Sequence, residues 1–196
     1  MKKGERRKLE LLRIAYNMFI SRGYENTSVD DIIREAGIAK GTYYYYFESK
    51  EQTLEEVIGM MINQEIEEAK RIVFTEIPVP QKMVGIITSL RPSGEELPIE
   101  DALLRPENII MHSKIKRQLA EKVNPLLCEV VEEGIREGIF NCDNISQRVR
   151  ILLGVSGEIF DEDNYTNRDI EVFIDMSEKL LGAKAGTMGF IRDLIR

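Results

Sequence analysis

The sequence predicts an all-α fold: an N-terminal helix-turn-helix domain of three helices, followed by a larger helical domain. Three observations carry this expectation. Apolar residues recur at three- and four-residue spacing through most of the chain. Around Gly37, two short helical patterns are separated by only a few residues, the arrangement of a helix-turn-helix. Glycine is sparse before residue 78 and proline does not occur there, so little interrupts helix formation in that region.

The elements follow in order. Leu11, Ile14, Ala15, Met18 and Phe19 give the first helix its apolar stripe, and Gly23 is placed to end it. Ser28 followed by Asp31 reads as a capping box, with Asp30 and Asp31 both in the first turn of a second helix. Val29, Ile32, Ile33 and Ala36 form its apolar face, and Gly37 closes it. A turn over 38–40 leads to a third helix reaching about Tyr46. The run Tyr43-Tyr44-Tyr45-Tyr46-Phe47 would be an aggregation-prone edge as a strand. As a helix it is coherent, because Tyr43 and Phe47 lie four apart on one inward face while Tyr44 and Tyr46 point elsewhere. Four buried tyrosine hydroxyls in a row would lack partners. Outward tyrosines beside Lys40, Thr42 and Lys50 make a surface suited to phosphates and base edges.

A long helix is expected from Ser49 to about Val73, with Leu54, Val57, Ile58, Met61, Ile62 and Ile66 on one side. Pro78 and Pro80 separate it from a helix around Val84–Leu90, which a loop over 94–98 follows. A helical region over 102–123 comes next, interrupted near Pro106. Asn124-Pro125 is expected to open a further helix that ends at Gly138. Helices are then expected over 145–160 and around Ile170–Leu181, joined by a turn at 161–164, and a short one over 187–195 finishes the chain.

Composition narrows the function classes. Charged residues make up 31% of the 196 residues, too few beside 43% apolar residues for a disordered chain. No apolar run reaches the roughly 18 residues of a membrane span, and no leader pattern opens the sequence, so a soluble cytoplasmic protein is expected. Cys128 and Cys142 make no disulfide framework, and the single His112 leaves little for a metal site. Cys128 is read as a small buried residue and Cys142 as a loop residue. The net charge of −7 argues against a polyanion partner, but its distribution does not. Residues 1–50 carry ten Lys/Arg against seven Asp/Glu, and the rest carry 17 against 27. One mildly basic end on an acidic body suits a protein that meets nucleic acid at that end only.

Catalysis finds little support. Neither GxxxxGK[ST] nor GxGxxG occurs. His112 and Ser113 are adjacent and do not face each other on a helix. Asp161 and Asp163 begin a calcium-loop pattern that lacks its sixth-position glycine (Thr166) and twelfth-position acid (Val172). No catalytic residue, metal or cofactor is expected.

Residues 6–60 resemble the DNA-binding region of the TetR (tetracycline-repressor) family. The resemblance rests on Thr27-Ser28-Val29-Asp30-Asp31, the Gly37 turn, the Lys40-Gly41-Thr42 start and the Tyr46-Phe47-Glu48-Ser49-Lys50 end in fixed register, with Ala15, Phe19, Gly23 and Tyr24 upstream. It implies that residues 1–50 bind an operator and that residues 51–196 dimerise and bind a ligand. By the resemblance, Lys40 and Gly41 open the recognition helix and approach bases, and Tyr44 reaches bases or backbone. Thr42, Tyr46 and Lys50 match phosphate-contacting positions. Ser28 sits at a helix N-terminus, where backbone donors can hold a phosphate. There are two departures. Asp30 stands where many members carry a basic or neutral polar residue, which is expected to weaken DNA contact there. Ala39 replaces a common capping serine, at a cost of about 1 kcal/mol.

The implied partners are a double-stranded palindromic operator, a small-molecule effector and a second copy of the chain. Met60, Met61, Met83 and Met111 are flexible side chains suited to a plastic pocket, and Phe74 and His112 are further candidates. The last two long helices, about 145–182, are expected to carry the dimer seam through Leu152, Val155, Ile159, Ile170, Phe173, Ile174 and Leu181. The function so implied is a homodimeric repressor released by a ligand. The competing readings are a helical enzyme with an incidental helix-turn-helix and a DNA-binding regulator that senses no ligand.

Overall fold

The computed structural model of the chain describes residues 2–90, 99, 109–160 and 165–194. Among them no strand occurs, and the fold is all-helical. The helices are α1 (Lys3–Arg22), α2 (Val29–Ala36), α3 (Lys40–Tyr46), α4 (Lys50–Val73), α5 (Val79–Ser89), α6 (Ile109–Arg136), α7 (Ile145–Phe160), α8 (Asn167–Leu181) and α9 (Ile191–Leu194). The loop expected over 94–98, the first part of the helix expected over 102–123 and the turn expected at 161–164 lie outside the described residues.

The chain divides into two compact units. One comprises Met1–Gln64 with Arg91–Gln118; the other comprises Glu65–Leu90 with Leu119–Arg196. The divisions fall inside α4 and α6.

In the first unit, Leu11, Ala15, Phe19, Ile32, Tyr43, Phe47, Leu54 and Val57 are fully buried. Local sequence explains the elements that present them. Ser28 accepts from the Asp31 N–H at 3.1 Å, and the Asp31 carboxylate accepts from the Ser28 N–H at 3.0 Å, closing the expected capping box. The Ser28 hydroxyl, donating at 2.5 Å, holds the Asp31 carboxyl down at about 2. Gly37 ends α2 at φ +60, a left-handed position that glycine adopts without penalty. As expected, Ala39 caps α3 with no side-chain hydrogen bond.

In the second unit, Pro78 caps α5 and Pro80 falls in its first turn, where the missing N–H would have no intrahelical partner anyway. Lys82 of α5 is only 4% exposed, and its ammonium donates to both carboxylate oxygens of Glu133 on α6, at 2.6 and 2.8 Å. Gly182, at φ +64, ends α8; a Cβ there would stand 2.0 Å from the Asn141 carbonyl oxygen. Asn141 in turn donates its N–H to the Leu181 carbonyl at 3.0 Å, and Arg148 donates to the Leu180 carbonyl at 2.5 Å. The orphan carbonyls at the end of α8 are thereby satisfied.

Two expectations are corrected. Pro125 does not open a helix: α6 runs through it to Arg136. An interior proline costs about 3 kcal/mol through one lost hydrogen bond and a clash with the preceding turn. Continuous burial of Val123, Leu127, Val130 and Val131 along the same helix offsets that cost. The Asn124 side chain also ties this point to the start of α7, donating to the Ser146 carbonyl at 3.0 Å and accepting from its hydroxyl at 2.9 Å. The last helix is shorter than expected, covering Ile191–Leu194, with turns over 185–190. Buried Glu178 accepts from the Gly186 and Met188 N–H groups at 3.0 and 2.8 Å, so these donors are satisfied without a helix.

Candidate nucleic-acid interface

The outward face of α3 is the candidate site, and its inward face explains why it is presented. Tyr43 is fully buried, shares a 2.5 Å hydrogen bond with the Thr53 hydroxyl, and packs beside buried Phe47 with ring centroids 5.4 Å apart. Burial pushes the Tyr43 phenol up. With Tyr43 and Phe47 anchored in the core, helical geometry turns Lys40, Gly41, Tyr44 and Tyr45 outward, and all four are exposed. Tyr44 is 47% exposed and Tyr45 80%. Large rings held this openly lose apolar burial, and they can recover it against a partner.

Thr42 and Tyr46 are half-buried at the margin of this face. The Tyr46 hydroxyl lies beside Gly4 near the start of α1, where Lys2, Lys3 and Arg6 are exposed. Ser28 is exposed at the start of α2, with its hydroxyl engaged by Asp31. Lys50, at the start of α4, is half-buried. Its ammonium lies 4.0 Å from the centroid of the Tyr24 ring and donates to the Tyr24 carbonyl at 3.0 Å. That bond uses one of three donors and leaves two for a phosphate. Burial, with the Glu51 charge nearby, raises the Tyr24 phenol.

One residue of this surface escapes the sequence reading, and another, Asp30, is seen there without its partner. Tyr45 is the most exposed of the four tyrosines, and the same spacing that buries Tyr43 and Phe47 points to it. Asp30 is not an isolated acid: its carboxylate accepts from the Lys40 ammonium at 3.2 Å, joining the start of α2 to the start of α3.

The remaining site candidates fall in both units. Met60 and Met61, in the first unit, are half-buried on α4, and Met111 and His112 are half-buried on α6. In the second unit, Met83 is buried on α5, whereas Phe74, in the turn after α4, is 79% exposed. Of the seven candidate seam residues, Leu152, Ile170, Phe173, Ile174 and Leu181 are already buried within the single chain. Val155 and Ile159 are half-buried, and the exposed apolar residues of the same two helices are Ile151 at 51% and Val172 at 61%. Cys128 and Cys142 are half-buried, and burial raises both thiols. Among the described residues, no cluster of three or more His, Cys, Asp or Glu could hold a metal ion, and no helix is long and apolar enough to cross a membrane.

Comparison with known proteins agrees with this geometry. The family profile described as "Bacterial regulatory proteins, tetR family" matches residues 11–57, the span from the core of α1 into α4. The chain is 28% identical over 141 residues to the transcriptional repressor KstR2 of Mycolicibacterium smegmatis, covering 70% of this chain and 69% of that protein. It is likewise 28% identical over 142 residues to the fatty acid metabolism regulator protein of Bacillus subtilis, covering 70% and 73%. The crystal structure of RolR in complex with resorcinol shares the fold at a TM-score of 0.66 and 17% identity, covering 98% of this chain and 94% of that one. A helix-turn-helix with a buried Tyr43–Phe47 face, the profile match over it and the repressor relatives converge on one conclusion: residues 11–57 match the DNA-binding region of the TetR family, and the chain is similar to transcriptional regulators of that family.

Proposed function

We propose that the chain is a cytoplasmic homodimeric repressor, not an enzyme, which α3 seats on operator DNA and a small molecule releases. The observation that carries the DNA-binding part is the anchoring of Tyr43 and Phe47 in the core, with Lys40, Gly41, Tyr44 and Tyr45 facing outward. Lys40, Gly41, Tyr44 and Tyr45 approach base edges in the major groove, and Ser28, Thr42, Tyr46 and Lys50 meet phosphates. Residues 1–50 supply this function, and residues 51–196 supply dimerisation and ligand binding. The resorcinol complex of RolR, a protein of the same fold, supports the ligand part. Met60, Met61, Met111 and His112, all of the first unit, are the candidate ligand-contacting residues. The ligand acts by preferring a conformation in which the two α3 helices no longer fit the operator, and shifts the equilibrium by its difference in affinity for the two states.

Replacing Tyr44 with alanine should reduce discrimination between operator and random DNA by about tenfold while leaving non-specific binding nearly unchanged. Lys50→Ala should weaken binding to all sequences and make the salt slope shallower by about one for each bound protomer. Fluorescence-anisotropy titrations on operator and random duplexes read both. If both variants bind like the wild type, α3 and the start of α4 are not the DNA-contacting surface.

The dimer seam proposed here uses Ile151, Val155 and Ile159 of α7 with Val172 of α8. Gly154, between Ile151 and Val155, has open space where a Cβ would stand, which permits a second helix to approach closely. A two-fold axis through this seam suits a palindromic operator, with half-sites about 34 Å or a multiple apart. Val172→Asp should convert the dimer to monomer in sedimentation velocity at micromolar concentration while helical circular dichroism is retained. A dimer that persists in this variant places the seam elsewhere.

A further inference from the structure

The ion pair between Asp30 and Lys40 lies on the surface that α3 turns outward. Both side chains are well exposed, 72% and 64%, and the carboxylate Oδ1 stands 3.2 Å from the ammonium Nζ. A carboxylate there repels phosphate, so for a DNA-binding surface it is costly unless it meets something other than the backbone. The ammonium is a donor and the carboxylate an acceptor. Together they present a donor beside an acceptor at a spacing of about one hydrogen bond.

The major-groove edge of a G·C pair has the complementary pattern. Read from the guanine side it offers the acceptors N7 and O6, then the cytosine N4 amino donor. O6 and N4 are themselves hydrogen-bonded across the pair, about 2.9 Å apart. We infer that Asp30 and Lys40 act together as a base-pair reader: Lys40 donates to guanine O6 and N7 while Asp30 accepts from cytosine N4. The inference rests on the DNA-binding reading above and deepens it.

The polarity of the pair gives the selectivity. A C·G pair in the same place sets the ammonium against the N4 donor and the carboxylate against the O6 acceptor, so both contacts become repulsive. A·T is reversed in the same sense. T·A keeps the order, with the O4 acceptor followed by the N6 donor, but it presents the thymine methyl where guanine presents N7. The preferred order is therefore G·C, then T·A, with the two inverted pairs rejected. The exposed ion pair opens toward a base at small cost, because water screens it in the free protein. Asp30 thus becomes a specificity residue and not a defect in the surface.

The test is selection of operators from a randomised duplex library by the wild-type protein, Asp30→Ala and Asp30→Asn. Titrations on single-base variants of the selected site follow. The wild type should select G·C at one position in each half-site and bind the inverted C·G operator about tenfold or more weakly. In Asp30→Ala that ratio should fall to about twofold, with preferences at all other positions unchanged. Asp30→Asn, which keeps an acceptor and adds a donor, should fall between. The pair-reading inference is overturned if Asp30→Ala keeps the wild-type preference at every position. That includes binding all sequences more tightly by the same factor, as a simple brake on Lys40 would, and binding all more weakly, as a helix-start role would. If the wild type itself selects no sequence, the DNA-binding reading fails and takes this inference with it.

Discussion

Glu133→Ala should destabilise the second unit by about 3–5 kcal/mol, the expected loss when one partner of a buried pair is removed. Lys82 is 4% exposed and donates to both Glu133 oxygens, so the alanine variant strands an ammonium with little access to water. The double variant Lys82→Met with Glu133→Leu removes both charges and keeps the apolar volume. It should regain most of the lost stability, since a buried pair replaced by apolar side chains is often neutral or better. Urea unfolding followed by helical circular dichroism separates these outcomes. A Glu133→Ala midpoint equal to that of the wild type would mean that the ammonium escapes to solvent and that the α5–α6 pairing holds little.

Salt dependence carries the second large effect. The body of the protein is acidic, and the basic residues gather at the start: Lys2, Lys3 and Arg6 are exposed on or beside α1, with Lys40 and Lys50 near α3. If each protomer neutralises about three phosphates, a dimer releases about six counterions, and the slope of log affinity against log salt is about −5. Raising salt from 50 to 200 mM should then lower operator affinity by about a thousandfold or more. A slope near zero would exclude a phosphate-contacting surface.

The helix-turn-helix was legible because its signals are local. Ser28 with Asp31, Gly37 after Ala36, and the four-residue spacing of Tyr43 and Phe47 each determine a feature within a turn or two of chain. What escaped depends on distant parts of the molecule. Pro125 reads as a helix start until the burial of Leu127, Val130 and Val131 outweighs its lost hydrogen bond. The turns over 185–190 depend on the Glu178 carboxylate reaching along the chain to two amides. Periodicity marks Leu152, Ile170, Phe173 and Ile174 as an apolar face, but an apolar face does not say whether its own chain or a second copy covers it. Exposure separates them from Ile151 and Val172. Tyr45 was hidden by its neighbours, since four consecutive tyrosines look alike until two anchors set the phase of the helix. Asp30 looked like a departure from a basic or neutral polar position because its pairing with Lys40 crosses from one helix to the next.

The central claim, that α3 seats this chain on specific DNA, is tested most directly by titrating the purified full-length protein onto the intergenic DNA beside its own gene. The titration is run at 50 and 200 mM salt with excess random competitor, and a randomised-site selection follows in parallel. The account predicts tight, competitor-resistant binding that weakens steeply at the higher salt. Binding no tighter than to random DNA, together with a selection that enriches no sequence, would contradict it.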